Sequence, residues 1–314
     1  MIVIRKDDDV SENARGAVVA IGNFDGVHRG HKELLSKAVS IARQSSRPAG
    51  AIIFEPHPRE FFHPEEPHFR LTPLPEKLRI LDDMGLDVVV VLDFDEKLVS
   101  LPAEDFVEKI LLERLGVSHV VIGYDFFFGR GRKGSPDTMR AAGEAHGFGV
   151  TVVSQQAEEG QVFSSTAIRL HLAQGDVLGA ARLLGHWWRV GGTVIGGNKI
   201  GTGLGFPTAN IELPEGTSLK HGIYAVRVLV DGQTYSGAAY YGSRPSVDDG
   251  PPRLEVFIMD FDGDLYGQTI GLEFLAFLRT DKRFDGLDAL KEQIARDCDE
   301  ARRVIEANGA LPPV

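Results

Sequence analysis

The first half of the chain alternates short apolar runs with stretches whose apolar residues recur at helical spacing. The runs, rich in β-branched residues, predict strands, and the stretches between them predict helices. The predicted strands are 17–21, 50–55, 87–94, 118–123 and 149–154, and the predicted helices are 31–44, 75–84, 103–115 and 136–146. Strands that are apolar on both faces and separated by helices are typical of a parallel sheet covered on both sides. We therefore expect an α/β fold for this half.

The pattern changes after Gly185. Two short helices are predicted at 165–172 and 176–184, and strand-like runs then follow one another with turns such as DGQ and DGD between them. These runs are 189–196, 223–230, 233–241, 253–261 and 268–278. Runs of this kind without intervening helices predict an antiparallel barrel or sandwich. We place the boundary near Gly185, so the predicted domains are 1–184 and 185–314.

The chain ends with one more amphipathic stretch. Apolar residues recur every three or four positions over 286–307, which predicts a terminal helix. Cys298 lies on this apolar stripe. We therefore interpret Cys298 as a core residue rather than a reactive thiol.

Charge, cysteine content and the lengths of the apolar runs argue against several classes of protein. The 314 residues include 34 basic and 45 acidic side chains, for a net charge of −11, which argues against a general nucleic-acid binder. A single cysteine excludes an internal disulfide framework and favours a reducing compartment. We find neither the apolar core of a signal peptide nor a run long enough to span a membrane. We expect a cytoplasmic protein, monomeric or weakly homo-oligomeric, that binds small molecules and neither nucleic acid nor membrane.

The segment GNFDGVHRGH leads from the first predicted strand of this half into its first helix. A glycine-rich turn there presents free N–H groups and the positive end of a helix dipole to an anion. We interpret His28 and His31, three residues apart, as candidate catalytic residues that reach a polyphosphate. An HxGH motif also arises by chance, and its context between strand and helix favours a site. The other candidate phosphate-binding residues of this turn are Gly22, Asn23, Phe24, Asp25, Gly26 and Gly30.

His57 stands between two prolines in FEPHPRE, just after the second predicted strand. Pro–His–Pro neither continues a strand nor starts a regular helix, so it presents the histidine on a stiff loop. Two interpretations are equally balanced here: a contact with the same phosphates, or an ordinary surface histidine.

Two more segments follow strand ends. GYDFFFGRGRKG offers Asp125, Phe128 and Arg130. Aromatic faces beside a basic loop suit a planar ring that carries phosphate, although a solvated loop is the alternative. FSSTAIR offers Ser164, Ser165 and Thr166 at a helix start and Arg169 one turn later. Hydroxyl groups there are usually caps, and the arginine makes a phosphate clamp plausible.

In this order the four segments resemble the adenylyltransferase half of the bacterial bifunctional riboflavin kinase/FAD synthetase family, within the HxGH nucleotidyltransferase superfamily. The resemblance implies a Rossmann-like domain in which His28 and His31 bind ATP phosphates and stabilise departing pyrophosphate. It also implies that segment 164–169 closes on the same phosphates. The family usually reads STRIR, whereas Ala167 replaces the first arginine here. This departure predicts that adenylyl transfer is slower or relies on Arg169.

The second half contains GGNKIGTGLGFPTANI. It lacks a Walker A pattern, and Phe206–Pro207 stands where the helix of a dinucleotide fingerprint would start. A structural glycine turn and a phosphate-binding loop both remain open. Thr208 and Asn210 alternate onto one face and offer the hard oxygen ligands that Mg²⁺ prefers. The candidate ATP-binding residues are Gly201, Gly203, Gly205, Phe206 and Pro207, and the candidate metal ligands are Thr208 and Asn210.

Glu255 lies in the run RLEVFIMDF, on the same face as Phe257 and Met259. A carboxylate that shares an apolar face is expected to be partly buried, which raises the pKa toward the useful range of a general base. The alternative is that Glu255 lies at the strand end and points to water.

LGFPTAN, HGIYAV, YYGSRPS, LEVFIMDFDGDLYG and the 278–297 run together resemble the riboflavin kinase domain. The resemblance implies a six-stranded barrel that binds riboflavin and ATP·Mg²⁺, with Glu255 as base and Arg279 and Phe284 on a flap at the flavin side. Departures from the family are Thr202 for an arginine, and Tyr241 and Ser246 for Ile and Thr.

We therefore expect a bifunctional enzyme that phosphorylates riboflavin to FMN and adenylylates FMN to FAD, with ATP as co-substrate and Mg²⁺ as cation. Two alternatives remain. One is a riboflavin kinase whose N-terminal domain is a weakened nucleotide-binding module, and the other is a non-catalytic flavin-binding sensor.

Overall fold

The structure is a computed structural model that describes residues 1–154, 157–158, 161–196, 206–214, 216–243 and 252–308. The chain divides into two compact units. The first comprises Met1–His68 and Lys77–Phe163, and the second comprises Phe69–Glu76 and the chain from Ser164 onward. This division groups the two short helices before Gly185 with the second unit. The domain boundary near Gly185 stays a prediction.

A six-stranded parallel sheet forms the first unit. The strand order is β1-β4-β3-β2-β5-β6, and every neighbouring pair is parallel. The strands are β1 (Ile2–Ile4), β2 (Val18–Ile21), β3 (Ala49–Glu55), β4 (Val88–Asp93), β5 (His119–Gly123) and β6 (Gly149–Val153). All four residues of β2 are buried, as expected for a strand covered on both faces. The predicted α/β fold is confirmed; β1 was missed because three residues carry no periodic signal.

Helices connect these strands. They are α1 (Arg29–Gln44), α2 (Pro58–Phe62), α3 (Leu74–Asp83, in the first unit from Lys77), α4 (Glu96–Ser100), α5 (Ala103–Asp105) and α6 (Pro136–His146). A π-helix continues α5 over Phe106–Arg114, and a short 3₁₀ turn covers Arg130–Arg132. Helix α1 buries Leu34, Leu35, Ala38 and Ala42 along the predicted apolar face. The two-residue strands β7 (Ala157–Glu158) and β8 (Gln161–Val162) pair with each other.

A closed antiparallel barrel dominates the second unit, with strand order β10-β13-β12-β11-β14-β9. Its strands are β9 (Arg189–Ile195), β10 (Thr208–Ile211), β11 (Gly222–Val230), β12 (Gln233–Gly242), β13 (Arg253–Ile258) and β14 (Thr269–Arg279). Helices α7 (Ser165–Gln174) and α8 (Val177–Leu184) precede the barrel, and α9 (Leu287–Asn308) follows it. The predicted barrel and terminal helix are confirmed.

Helix α9 covers part of the outer face of the barrel. Cys298 and Ala301 pack there with Met259, Phe206 and Phe257. Burial raises the pKa of the Cys298 thiol to about 11, so this cysteine is a core residue. Among the described residues, no helix is both long and apolar enough to cross a bilayer.

Candidate active sites

The turn after β2 is built on two buried anchors. Phe24 and Val27 are buried although both have positive φ angles, 48° and 42°, which non-glycine residues rarely adopt. This sparsely populated backbone conformation is maintained because the two side chains are fixed in the core. The turn thereby places His28 at the N-cap of α1 and His31 in the first helical turn.

His28 is oriented by the helix that it caps. Its Nδ1 accepts a hydrogen bond from the backbone N–H of His31 at 3.2 Å. A neutral imidazole that accepts at Nδ1 carries its proton on Nε2, which is then a hydrogen-bond donor. The local sequence therefore fixes both the orientation of the ring and the nitrogen that can donate to an anion.

The two imidazoles stack on each other. Their centroids lie 3.5 Å apart at an interplanar angle of 17°, and the edge of Phe24 meets the ring of His31 at 5.4 Å. Burial lowers the pKa of His28 to about 4, against the opposing charge of Asp25. Burial, helped by the charges of His28 and Lys77, holds the pKa of His31 well below its usual range. Both rings are neutral donors and acceptors at pH 7.

Gly30 allows this close arrangement. A Cβ atom at position 30 would lie 3.3 Å from the ring of His28 and 3.5 Å from Phe163. The guanidinium of Arg29 lies over the same Phe163 ring, 4.8 Å from its centroid. The start of α1 is therefore packed so tightly that only glycine fits without displacing the His28 ring.

Two buried polar atoms of this turn have no hydrogen-bond partner in the part of the chain that the structure describes. They are Oδ1 of Asn23 and Nδ1 of His31. Buried polar atoms are almost always paired in folded proteins, so such a pair beside a helix N-terminus indicates a binding site.

His57 is half-buried and contacts a second histidine; its contact with the phosphates stays a prediction. It caps α2, its Nδ1 accepting from the backbone N–H of Arg59 at 3.2 Å, and its ring stacks on His68 at 4.5 Å. Burial, and then the charge of His68, lowers the pKa of His57 to about 4; Asp25 opposes this and Lys77 adds to it. His68 has no periodic or motif signal, and sequence reasoning missed it.

Lys77 is a second missed residue. It is buried, and its Nζ donates to the backbone carbonyl of Asn23 at 2.8 Å. A sequence signal exists: Lys77 shares the buried face of α3 with Ile80 and Leu81. A charged residue at an apolar-periodic position is the feature that could have identified it.

The loop after β5 presents a different ring from the one expected. Phe128 is 6% exposed, stacks on Phe126 at 5.6 Å and packs in the core of the first unit. Phe127 is 46% exposed, and the guanidinium of Arg132 lies 5.3 Å above its ring. The exposed rings of this loop are therefore those of Tyr124 and Phe127, and a ligand contact of buried Phe128 stays a prediction.

Both charged candidates of this loop lie at its surface. Asp125 and Arg130 are exposed. The backbone N–H of Arg130 donates to the carbonyl of Leu101, which fixes the backbone at this point of the loop.

The SSTAIR segment belongs to the second unit. Ser164 caps α7, and its Oγ accepts from the backbone N–H of Ala167 at 3.2 Å. Ser165 and Thr166 form the first turn of the helix, and Nε of Arg169 donates to the carbonyl of Phe69 at 2.7 Å. The capping interpretation thus describes Ser164, and a phosphate contact of Arg169 stays a prediction.

In the barrel, the register brings separate motifs together. Asn210 of β10 lies directly opposite Glu255 of β13, which in turn lies opposite Tyr240 of β12. Directly opposite residues share a face with Cβ atoms about 5 Å apart. Asn210 is buried and Glu255 is half-buried. Thr208 lies two positions before Asn210 in β10 and therefore on the same face. A hydroxyl, an amide oxygen and a carboxylate therefore occupy one patch of the barrel.

These oxygen donors fit a hard divalent cation. No group of three or more His, Cys, Asp or Glu able to hold a metal occurs among the described residues. Binding of a cation by Thr208 and Asn210 stays a prediction.

The other residues predicted for the kinase site lie as follows. Phe206 packs edge-on against Phe257 at 5.1 Å, and Pro207 is exposed. Gly201, Gly203 and Gly205 fall outside the described residues. Tyr240, which sequence reasoning missed, donates from its hydroxyl to the carbonyl of Ser243 at 3.0 Å, with a carboxylate oxygen of Asp281 3.3 Å away.

Arg279 forms an ion pair with the terminal helix. Its Nε and Nη2 donate to the two carboxylate oxygens of Asp297 at 2.8 and 2.6 Å, and Nε2 of Gln293 donates to the same carboxylate. Asp297 is 7% exposed. The pair fixes the start of the segment that carries half-buried Phe284.

Comparisons with known proteins decide the family. The FAD synthetase family model matches residues 10–167, and the riboflavin kinase family model matches residues 184–305. A bifunctional riboflavin kinase/FMN adenylyltransferase of Pseudomonas fluorescens is 41% identical over 303 residues, which cover 96% of this chain and 97% of that protein. The chain belongs to the bifunctional riboflavin kinase/FMN adenylyltransferase family. The predicted pairing of the two transferase activities is thereby confirmed.

One further relative and one solved structure extend the comparison. The enzyme of the same name from Escherichia coli K12 is 41% identical over 283 residues, with 90% of each chain covered. A crystal structure of a macrolide-efflux protein from Streptococcus pneumoniae superposes with a TM-score of 0.83 at 29% identity, covering 96% of this chain and 99% of the other. The fold of this chain is therefore similar to that of the solved chain over nearly the whole length of both.

Proposed function

We propose that the two transfer reactions of the family are divided between the two units. Adenylyl transfer takes place at the turn that carries His28 and His31, and riboflavin phosphorylation takes place at the barrel patch that carries Glu255. The observation that supports the first assignment is the stacked imidazole pair at the N-terminus of α1, with buried and unpartnered polar atoms on Asn23 and His31. We propose 1–184 and 185–314 as the corresponding domains; the compact units differ from them in grouping residues 69–76 and 164–184 with the barrel.

At the first site the acceptor needs no base. An oxygen of the FMN phosphate, already ionised, forms a bond to the α-phosphorus of ATP, and the bond from that phosphorus to the α–β bridging oxygen breaks. Pyrophosphate departs with the electron pair. His28 donates from Nε2 to a phosphate oxygen, and the N–H groups at the start of α1 hold the anion. The turn residues 22–26 and Gly30 shape the site, and His57 contributes from the end of β3.

At the second site the acceptor is an alcohol, which must lose a proton. Glu255 accepts the proton of the riboflavin 5′-hydroxyl while the hydroxyl oxygen forms a bond to the γ-phosphorus of ATP. The bond from that phosphorus to the β–γ bridging oxygen breaks, and ADP leaves with the electron pair. Thr208 and Asn210 hold Mg²⁺, which when bound neutralises charge on the phosphates. Segment 201–207 binds ATP, and Arg279 and Phe284 position the segment at the flavin side.

We also infer a cytoplasmic location and a monomeric or weakly homo-oligomeric state. A single buried cysteine supports a reducing compartment. Riboflavin, FMN and ATP are the partners, without nucleic acid or membrane.

The test supplies riboflavin and FMN in separate reactions, each with ATP and Mg²⁺. Chromatography should detect FMN and ADP in the first, and FAD and pyrophosphate in the second. FMN formation without FAD from either substrate would show that the first unit is a weakened binding module. Absence of both products would support the alternative of a non-catalytic flavin-binding sensor.

A further inference from the structure

A buried lysine lies beside the HxGH turn. Lys77 is 4% exposed, and its Nζ is held by the backbone carbonyl of Asn23 at 2.8 Å. Burial deprives an ammonium group of its hydration, and lysine is among the residues least often fully buried. The position of this charge therefore needs a reason beyond the packing of α3.

Packing alone would favour another residue. Lys77 shares the buried face of α3 with Ile80 and Leu81, which are three and four positions away. An apolar side chain at position 77 would complete this face without the cost of a buried charge. The lysine thus lies at a position where the packing of α3 alone favours an apolar residue.

The charge of Lys77 acts on both histidine segments. It lowers the pKa of His31, which follows β2, and that of His57, which follows β3. The ammonium group therefore lies within electrostatic reach of imidazoles presented by two neighbouring strand ends. Since both rings are neutral at pH 7, they supply donors but no net charge. The charged groups that act on these histidines are the carboxylates of Asp25 and Glu60 and the ammonium of Lys77, and only the ammonium attracts a phosphate.

Resting on the proposed assignment of adenylyl transfer to this turn, we propose that Lys77 binds the phosphates of ATP and of departing pyrophosphate. As the bond between the α-phosphorus and the bridging oxygen breaks, negative charge grows on the pyrophosphate. The N-terminus of α1 offers this charge only a partial positive charge, whereas an ammonium offers a full one in a site shielded from water. The bond to Asn23 keeps the ammonium at the turn on which the unpartnered Oδ1 of Asn23 and Nδ1 of His31 lie.

Three substitutions separate the charge from the bond to Asn23. Lys77→Met removes both, Lys77→Gln keeps an N–H donor for the Asn23 carbonyl, and Lys77→Arg keeps donor and charge. With FMN supplied, we expect kcat/KM for ATP to fall about 10²-fold in the Met and Gln variants. The inhibition constant of added pyrophosphate should rise by about tenfold or more in both, and Lys77→Arg should lie between them and the wild type.

The matched control is Lys37→Met, which removes an exposed lysine of α1 and should change neither constant. Riboflavin phosphorylation by each full-length variant serves as the internal standard for the second unit. If Lys77 only supports the turn, Lys77→Gln will restore wild-type affinity for pyrophosphate, which overturns the proposal. Unchanged pyrophosphate inhibition in Lys77→Met, with a lower kcat, would overturn it as well. Should Lys77→Met fail to fold, the Gln and Arg pair still decides, because the two differ in charge and both can donate to Asn23.

Discussion

The two proposed nucleotide sites of this chain differ in the groups that the fold presents. The turn after β2 gathers neutral imidazoles, one buried ammonium and backbone donors. The barrel patch aligns an amide, a carboxylate and a phenol across three neighbouring strands. The difference matches the two acceptors, since a phosphate is already ionised and an alcohol must lose a proton. On this proposal, one chain combines a site of donors with a site that contains a base.

The largest expected effect comes from removing the base. Glu255→Gln should lower the rate of FMN formation from riboflavin by about 10²–10⁴-fold, because the amide cannot accept the proton of the hydroxyl. FAD formation from supplied FMN should stay at the wild-type rate. Both rates are measured by chromatography of the products. Equal loss of the two activities would show that the two reactions do not take place at independent sites.

Removal of both imidazoles should impair FAD formation and spare riboflavin phosphorylation. We expect His28→Ala with His31→Ala to slow FAD formation from FMN by about 10²–10³-fold, the cost of removing hydrogen-bond donors aimed at developing charge. Phosphorylation of riboflavin by the same protein is the control and should be unchanged. A double variant that still makes FAD at the wild-type rate would exclude this turn as the site.

A smaller change tests the fit at the start of α1. In Gly30→Ala the new Cβ meets the His28 ring at 3.3 Å and Phe163 at 3.5 Å. Displacing the ring by a fraction of an ångström should reduce FAD formation by about tenfold, without loss of the kinase reaction. Gly286→Ala, whose Cβ would meet nothing within 4 Å, is the matched control for glycine replacement. Similar activities of the two variants would show that the ring tolerates displacement.

The smallest effect concerns acid stability of the protein. Since the pKa of His28 is about 4 in the folded protein and about 6.5 when the chain is unfolded, the unfolded chain binds more protons below pH 6.5. The free energy of unfolding should therefore decrease as the pH falls from 6.5 to 4, by about 1–3 kcal/mol from this residue. Urea unfolding at several pH values measures it. His28→Gln should flatten the dependence, and an unchanged slope would show that this imidazole titrates normally.

Much of the architecture could be predicted from local pattern. The strands 17–21 and 118–123 and the helix at 31–44 were placed within a few residues, because apolar periodicity records which faces are buried. The change from parallel to antiparallel sheet followed from the presence or absence of helices between strands. The motif positions His28, His31, Asn210 and Glu255 were also found from sequence.

The sequence alone therefore determined the two fold classes, their order and the pairing of the two transferase activities, whereas the role of each motif residue stays a prediction. Only the tertiary structure decided which distant side chains meet: Lys77 beside Asn23, His68 on His57, Asp297 on Arg279, and Tyr240 opposite Glu255. It also decided that Phe127, and not Phe128, is exposed. The physical reason is that periodicity reports the burial of a residue relative to its own helix or strand. The partner across a sheet or from another helix is set by register and loop geometry, which leave no local signal.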